Sequence, residues 1–148
     1  MLYRVCILFC CCFLFGCGNR GPYNVRAVVT LDDKPLAEAE VLLIPIQENV
    51  NTKPASGITD TEGVVMFKTE DVDGVFSGSY IVTVSKKIEE KRFSNNEVRA
   101  FAEVGIRLPL KSIEFVPEIY TRRETSDLKA KVGYWHSKDF MFNLQSEK

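Results

Sequence analysis

The sequence predicts an all-β sandwich of about seven short strands, and three observations carry that expectation. Apolar and polar residues alternate with a period of two in several stretches. Clusters of Asp, Gly and Pro punctuate those stretches at regular intervals, as turns between strands require. No internal repeat is evident, and the 148 residues are enough for one domain that buries its own core without disulfide staples.

Taken in order, Val25, Ala27 and Val29 alternate with Asn24, Arg26 and Thr30 and form the first strand. The segment "LDDKPL" (31–36) is a turn, because Asp tolerates a left-handed backbone and Pro fixes its own φ. Residues 39–46, "AEVLLIPI", form the second strand, with Ala39, Val41 and Leu43 on one face. A polar loop fills 47–54. Then Ser56–Thr59, the turn Asp60–Gly63 and Val64–Phe67 read as strand, tight turn and strand, a hairpin with Gly63 at positive φ. Residues 70–74 make another turn. Gly78–Ser85 is the clearest strand, with Tyr80, Val82 and Val84 on one face.

Residues 86–112 differ. The run opens with "KKIEEKR" and lacks period-two alternation, so it reads as an excursion between strands. Within it, Val98, Phe101 and Ala102 recur at helical spacing and predict about two helical turns over 97–104. Ile113–Pro117 reads as a brief edge strand ended by its proline. Leu128–Val132 and Phe140–Leu144 complete the set.

The N-terminus speaks about location. Arg4 is the only charge in residues 1–16, and the apolar run after it falls short of the roughly 20 residues a spanning helix needs. A basic start, a short apolar core and a small residue describe a secretory signal. Leu14-Phe15-Gly16-Cys17 resembles a bacterial lipobox, although Phe15 stands where a small or β-branched residue is usual. The resemblance implies that the Cys17 thiol takes a diacylglycerol and that cleavage falls on its amino side. The alternatives are an ordinary signal peptide, or a buried apolar strand, with Cys17 incidental.

On the lipobox reading residues 1–16 are leader, 17–22 a lipidated tether and 23–148 the domain. Lipid on Cys17 is the membrane partner, since stable anchoring takes two or more acyl chains. Gly18, rather than Asp, resembles outer-membrane sorting. The expected location is therefore outside the cytoplasm, lipid-anchored to the bacterial cell membrane, at the outer membrane or surface rather than the inner one. All five cysteines lie at or before Cys17, so cleavage leaves neither free thiol nor disulfide. The net charge of −1 becomes −2 when Arg4 is removed, which gives no electrostatic case for nucleic acid.

Several segments resemble carboxypeptidase regulatory-like domains. They are "VVTLDDKPLAEAEVLLIP" (Val28–Pro45), "ASGITDTEGVVMF" (Ala55–Phe67) and "GSYIVTVSKK" (Gly78–Lys87), followed by "VPEIYTRRETSDLKAKV" (Val116–Val132) and "FMFNL" (Phe140–Leu144). The resemblance is nearest to small lipoproteins of planctomycete-type bacteria and covers nearly all of the mature chain. Asp33, Glu38 and Ala27 stand where that family commonly has Gly, and 86–112 is less alike. The resemblance implies a transthyretin-like (prealbumin-like), seven-stranded Greek-key β-sandwich whose domain is non-catalytic.

Candidate chemistry is sparse. His136 is the only histidine, and triads and most zinc sites need a shaped cluster around such a residue. The C-terminal Tyr-Arg-Gly-Ser signature of transthyretin-related hydrolases is absent, as is His-x-x-Glu. Asp71-Val72-Asp73-Gly74 invites calcium, but the twelfth position of an EF-hand loop would be Val82, and turn chemistry explains the acids better. No catalytic residue, metal, cofactor or small-molecule substrate is expected.

Tyr80, Tyr120, Tyr134 and Trp135 could form a sugar-stacking platform. Tyr80 alternates with core residues, which leaves Tyr134 and Trp135, beside Gly133 and His136, as the exposed pair. Two readings follow. One is a non-enzymatic envelope lipoprotein that presents its β-domain for protein interaction or a structural role. The other is a carbohydrate- or cell-wall-binding module, which loses its best residue if Trp135 packs into the core.

Overall fold

The computed structural model describes residues 21–46, 52–90, 95–105 and 111–146. The leader, Cys17, most of the tether and residues 47–51 of the polar loop lie outside the described residues. The protein is mostly β, as the alternation predicts, with two short helices among the described residues.

One sheet is built on β1 (Arg26–Leu31). Along one side runs β12 (Asp139–Leu144), parallel and in register from Arg26↔Asp139 to Leu31↔Leu144. Along the other side lie two antiparallel pieces, β5 (Val64–Met66) against its start and β2 (Lys34–Pro35) against its end. The second sheet is antiparallel throughout. Its order is β11 (Lys129–Val132), β8 (Gly78–Ser85), β3 (Glu40–Pro45), β4 (Ala55–Ile58), β6 (Lys68–Thr69) and β7 (Val72–Asp73). A two-stranded ribbon, β9 (Lys87–Glu90) with β10 (Lys111–Glu114), stands apart from both sheets. Helix α1 (Asn95–Glu103) lies between its strands in sequence, and α2 (Glu118–Thr121) follows it. The strand segments exceed the seven expected because β2, β6, β7 and β9 are pieces of two to four residues.

Both sheets bury one apolar cluster between them. Ala27, Val29, Val65, Phe142 and Leu144 come from the first sheet, and Val41, Leu43, Tyr80, Val82, Val84, Ala130 and Val132 from the second. The alternation read from the sequence is the cause: i, i+2 and i+4 share a face, and that face leaves water. Tyr80 keeps its polar end satisfied inside this core by donating its hydroxyl to the Phe76 carbonyl at 2.7 Å. Burial pushes the phenol up to about 12.

The turns explain how the chain changes sheets. Asp32 and Asp33 both take positive φ, 49° and 62°, which gives a tight two-residue turn matched to strand twist. At the next turn Asp60 Oδ1 accepts the Glu62 and Val64 N–H groups, both at 2.9 Å, and Gly63 takes φ 75°. The expected hairpin is not formed there. β4 pairs within the second sheet, while β5 pairs with β1 in the first, so the turn carries the chain across the sandwich. The two segments instead cross at close range. A Cβ on Gly57 would meet Met66 O and Val65 Cγ2, each at 2.5 Å. One residue later, at buried Phe67, the strand bends back into the second sheet as β6.

The excursion also differs from its reading. "KKIEEKR" begins a strand, because a two-stranded ribbon outside the core has no buried face and needs no alternation. Its helix covers 95–103, against the 97–104 expected. Side-chain and backbone hydrogen bonds fix the ribbon's base. Glu114 accepts the Ser85 hydroxyl at 2.7 Å and the Lys86 N–H at 2.6 Å. Lys86 Nζ donates to the Ala37 carbonyl at 2.7 Å, and the Phe115 N–H donates to Lys86 O at 2.7 Å. The expected edge strand at 113–117 runs over 111–114 instead, and Val116 is drawn into the core ahead of α2.

Candidate functional site

The two residues singled out as a contact surface lie in the loop from Gly133 to Lys138, between β11 and β12. The loop folds back on itself. The His136 N–H donates to Gly133 O at 3.3 Å, and Ser137 Oγ–H donates to Asp139 O at 2.7 Å while accepting the Asp139 N–H. Gly133 is buried, and a Cβ there would come within 3.1 Å of His136 Nδ1. A glycine at this position thus lets the imidazole lie close over the backbone.

Tyr134 and Trp135 stand out from this loop, 53% and 88% exposed. Trp135 does not pack into the core. The two rings meet edge to face, with centroids 4.6 Å apart and planes at 89°. That geometry suits the aromatic quadrupoles, but it does not make a flat two-ring platform. The other two aromatics considered for stacking are buried. Tyr80 is in the sandwich core, and Tyr120, on α2, accepts the Gln145 N–H on its phenol oxygen at 3.2 Å.

The pairing of β1 with β12 decides what lies next to the loop. Parallel strands in register start at the same end. The Arg26 N–H donates to Lys138 O at 2.8 Å, and Lys138 Nζ sits 5.5 Å from the Tyr23 ring centroid. Tyr23 is fixed by paired backbone bonds with Val75, both 2.8 Å. Ile46, 41% exposed, joins the same end through its N–H to Ser79 O at 2.9 Å. The ribbon is at the opposite end, beyond Ser85 and the Lys86–Ala37 contact. The sequence reading missed the meeting of Tyr23 with Lys138, at the end of the loop that carries the aromatic pair. No local pattern could have paired two strands this far apart in sequence; the only hint was that each residue precedes a strand.

The remaining candidates stay separate. His136 is exposed on the loop. Asp73 is paired with Lys68 at 3.0 Å and Glu70 with Lys53 at 3.0 Å. Among the described residues no three His, Cys, Asp or Glu side chains gather as a metal site. A shallow depression at the ribbon end is lined by Asp32, Asp33, Asn143 and Gln145. There the Ser146 N–H, 2.9 Å from Asp32 Oδ1, holds that carboxyl below its ordinary value. Among the described residues no helix is long and apolar enough to cross a membrane. Comparison with protein-family models, curated proteins and solved structures finds no match.

Proposed function

We propose that the chain is a lipid-anchored envelope protein that displays a non-enzymatic β-domain for contact with another envelope component. The observation that carries the reading is the run Leu14-Phe15-Gly16-Cys17 only a few residues ahead of a folded β-domain. Lipids on Cys17 tether the domain, and the short segment to Tyr23 holds it close to the bilayer. The surface turned outward is then the far end, where the ribbon carries an exposed cross-strand pair, Ile88 and Ile113, and Phe115 lies 49% exposed at its base. Exposed apolar side chains on a projecting ribbon suit a protein partner.

In this reading the domain is a Greek-key sandwich of the transthyretin-like, carboxypeptidase regulatory-like kind. The shared core of the two sheets supports that expectation. The glycan reading draws on the exposed Trp135, but the perpendicular rings and their place beside the tether favour it less.

The test is metabolic labelling with a palmitate analogue. The chain takes up label and partitions with membranes, and Cys17→Ser loses the label. Label retained in Cys17→Ser, or none in the parent chain, overturns the anchoring.

A further inference from the structure

The chain that leaves the domain at Gly21 and the loop that carries Tyr134 and Trp135 come from the same end of the sandwich. β1 and β12 are parallel and start together at Arg26 and Asp139. Tyr23 is pinned through its backbone to Val75, and its ring lies under the Lys138 ammonium, so the N-terminal chain leaves the domain beside the loop. From Gly21 back to Cys17 the extended chain reaches at most about 14 Å.

We propose that the loop Gly133–Lys138 is a second membrane contact, in which Tyr134 and Trp135 rest in the headgroup region of the bilayer that holds the lipids of Cys17. This rests on the lipid anchoring proposed above.

The argument has three parts. The first is reach. A tether this short cannot carry the domain far from the bilayer, and the face beside its exit must turn toward it. The second is chemistry. Indole and phenol rings join an apolar body to one polar group, and such rings settle at the membrane–water interface. Trp135 at 88% exposure leaves nearly its whole indole available. Ile46, 41% exposed at the same end, adds an aliphatic side chain, and the exposed Lys138 ammonium is placed to meet lipid phosphate. The third is rigidity. The loop is closed by its own hydrogen bonds and buttressed by Tyr23, so little conformational freedom is lost on contact. Two points of attachment, lipid and aromatic loop, would fix the domain's orientation and hold the ribbon outward. A single point of attachment cannot do that.

Trp135 is the chain's only tryptophan, so its fluorescence reports on this loop alone. The experiment uses the mature lipidated protein in vesicles of phosphatidylethanolamine and phosphatidylglycerol, with the unlipidated chain from Gly18 onward in solution as reference. The expected result has three parts: emission moves to shorter wavelength in the vesicles, iodide quenches it at least threefold less than in the reference, and lipids brominated near the headgroup quench it. Trp135 is exposed, so Trp135→Ala folds and takes up palmitate label as the parent does.

If the labelled protein sits in vesicles with emission and iodide quenching equal to the reference, the loop stands off the membrane. The proposal then falls while the anchoring stands. Absence of label on Cys17 removes the anchoring and the proposal together, and it is read before any fluorescence. An emission shift of the reference chain on adding envelope glycan, with no quenching by brominated lipid, overturns the proposal in favour of a glycan site.

Discussion

Thr59→Val should destabilise the domain by about 2–4 kcal/mol although it changes neither size nor shape. The Thr59 hydroxyl donates to the Leu36 carbonyl at 2.6 Å and accepts the Ala39 N–H at 2.8 Å. Leu36, Ala39 and Thr59 are 3%, 0% and 3% exposed, so water cannot replace a lost partner. Valine leaves one buried donor and one buried acceptor unpaired, at about 1–3 kcal/mol each. The methyl that replaces the hydroxyl returns about 0.8 kcal/mol of apolar burial. Thr59→Ser keeps both bonds and loses only a methyl, which costs about 1 kcal/mol. A domain of this size has roughly 5–15 kcal/mol in total, so the valine variant melts at clearly lower urea. Urea titration followed by far-ultraviolet circular dichroism reads the order: parent above serine above valine. A valine variant equal to or more stable than the serine variant would refute the claim that this hydroxyl joins the bend before β3 to the strand end at β4.

Three further outcomes follow from the same structure. Gly57→Ala places a Cβ against the Met66 backbone oxygen and should cost about 1–3 kcal/mol, while Gly21→Ala, with nothing within 4 Å, should leave the thermal midpoint unchanged. Tyr80 has a folded pKa raised from 10.0 to about 12, so its contribution is fully present below pH 10 and is lost as pH rises toward 12, by about 2–3 kcal/mol. Denaturant titrations across that range should show a steeper decline in the parent than in Tyr80→Phe. Glu114→Gln weakens the bonds from Ser85 and Lys86, and amides of 87–90 should exchange with deuterium about fivefold faster while those of β8 keep their protection; uniform loss of protection would show that the ribbon is not a separate unit.

What the sequence revealed, and what it hid, divides by the range of the interaction. Tyr80, Val82 and Val84, or Val25, Ala27 and Val29, announce a buried face because alternation is a local property of the strand. The Asp32–Asp33 turn and the left-handed Gly63 are legible for the same reason, since backbone sterics act on single residues. The turn at Asp60 shows where local reasoning stops. Its side-chain bonds to Glu62 and Val64 are the same whether the flanking strands pair or part, so the crossing between sheets leaves no mark in the turn itself. Lys87–Glu90 was hidden because its partner, β10, covers its hydrogen bonds while Lys87, Ile88 and Glu89 stay exposed. The site divides likewise. Exposure of Tyr134 and Trp135 follows from a loop between strands, whereas the contact of that loop with Tyr23, through Lys138, depends on a parallel pairing of the first and last strands.

That pairing also sets how the domain bears load. A pull applied between the chain before β1 and the chain after β12 acts at opposite ends of two parallel neighbours. The pull runs along the strands, and the rungs from Arg26–Asp139 to Leu31–Leu144 are strained together in shear rather than opened one after another like a zip. The first sheet is therefore arranged so that a pull between the two ends of the domain loads many hydrogen bonds at once.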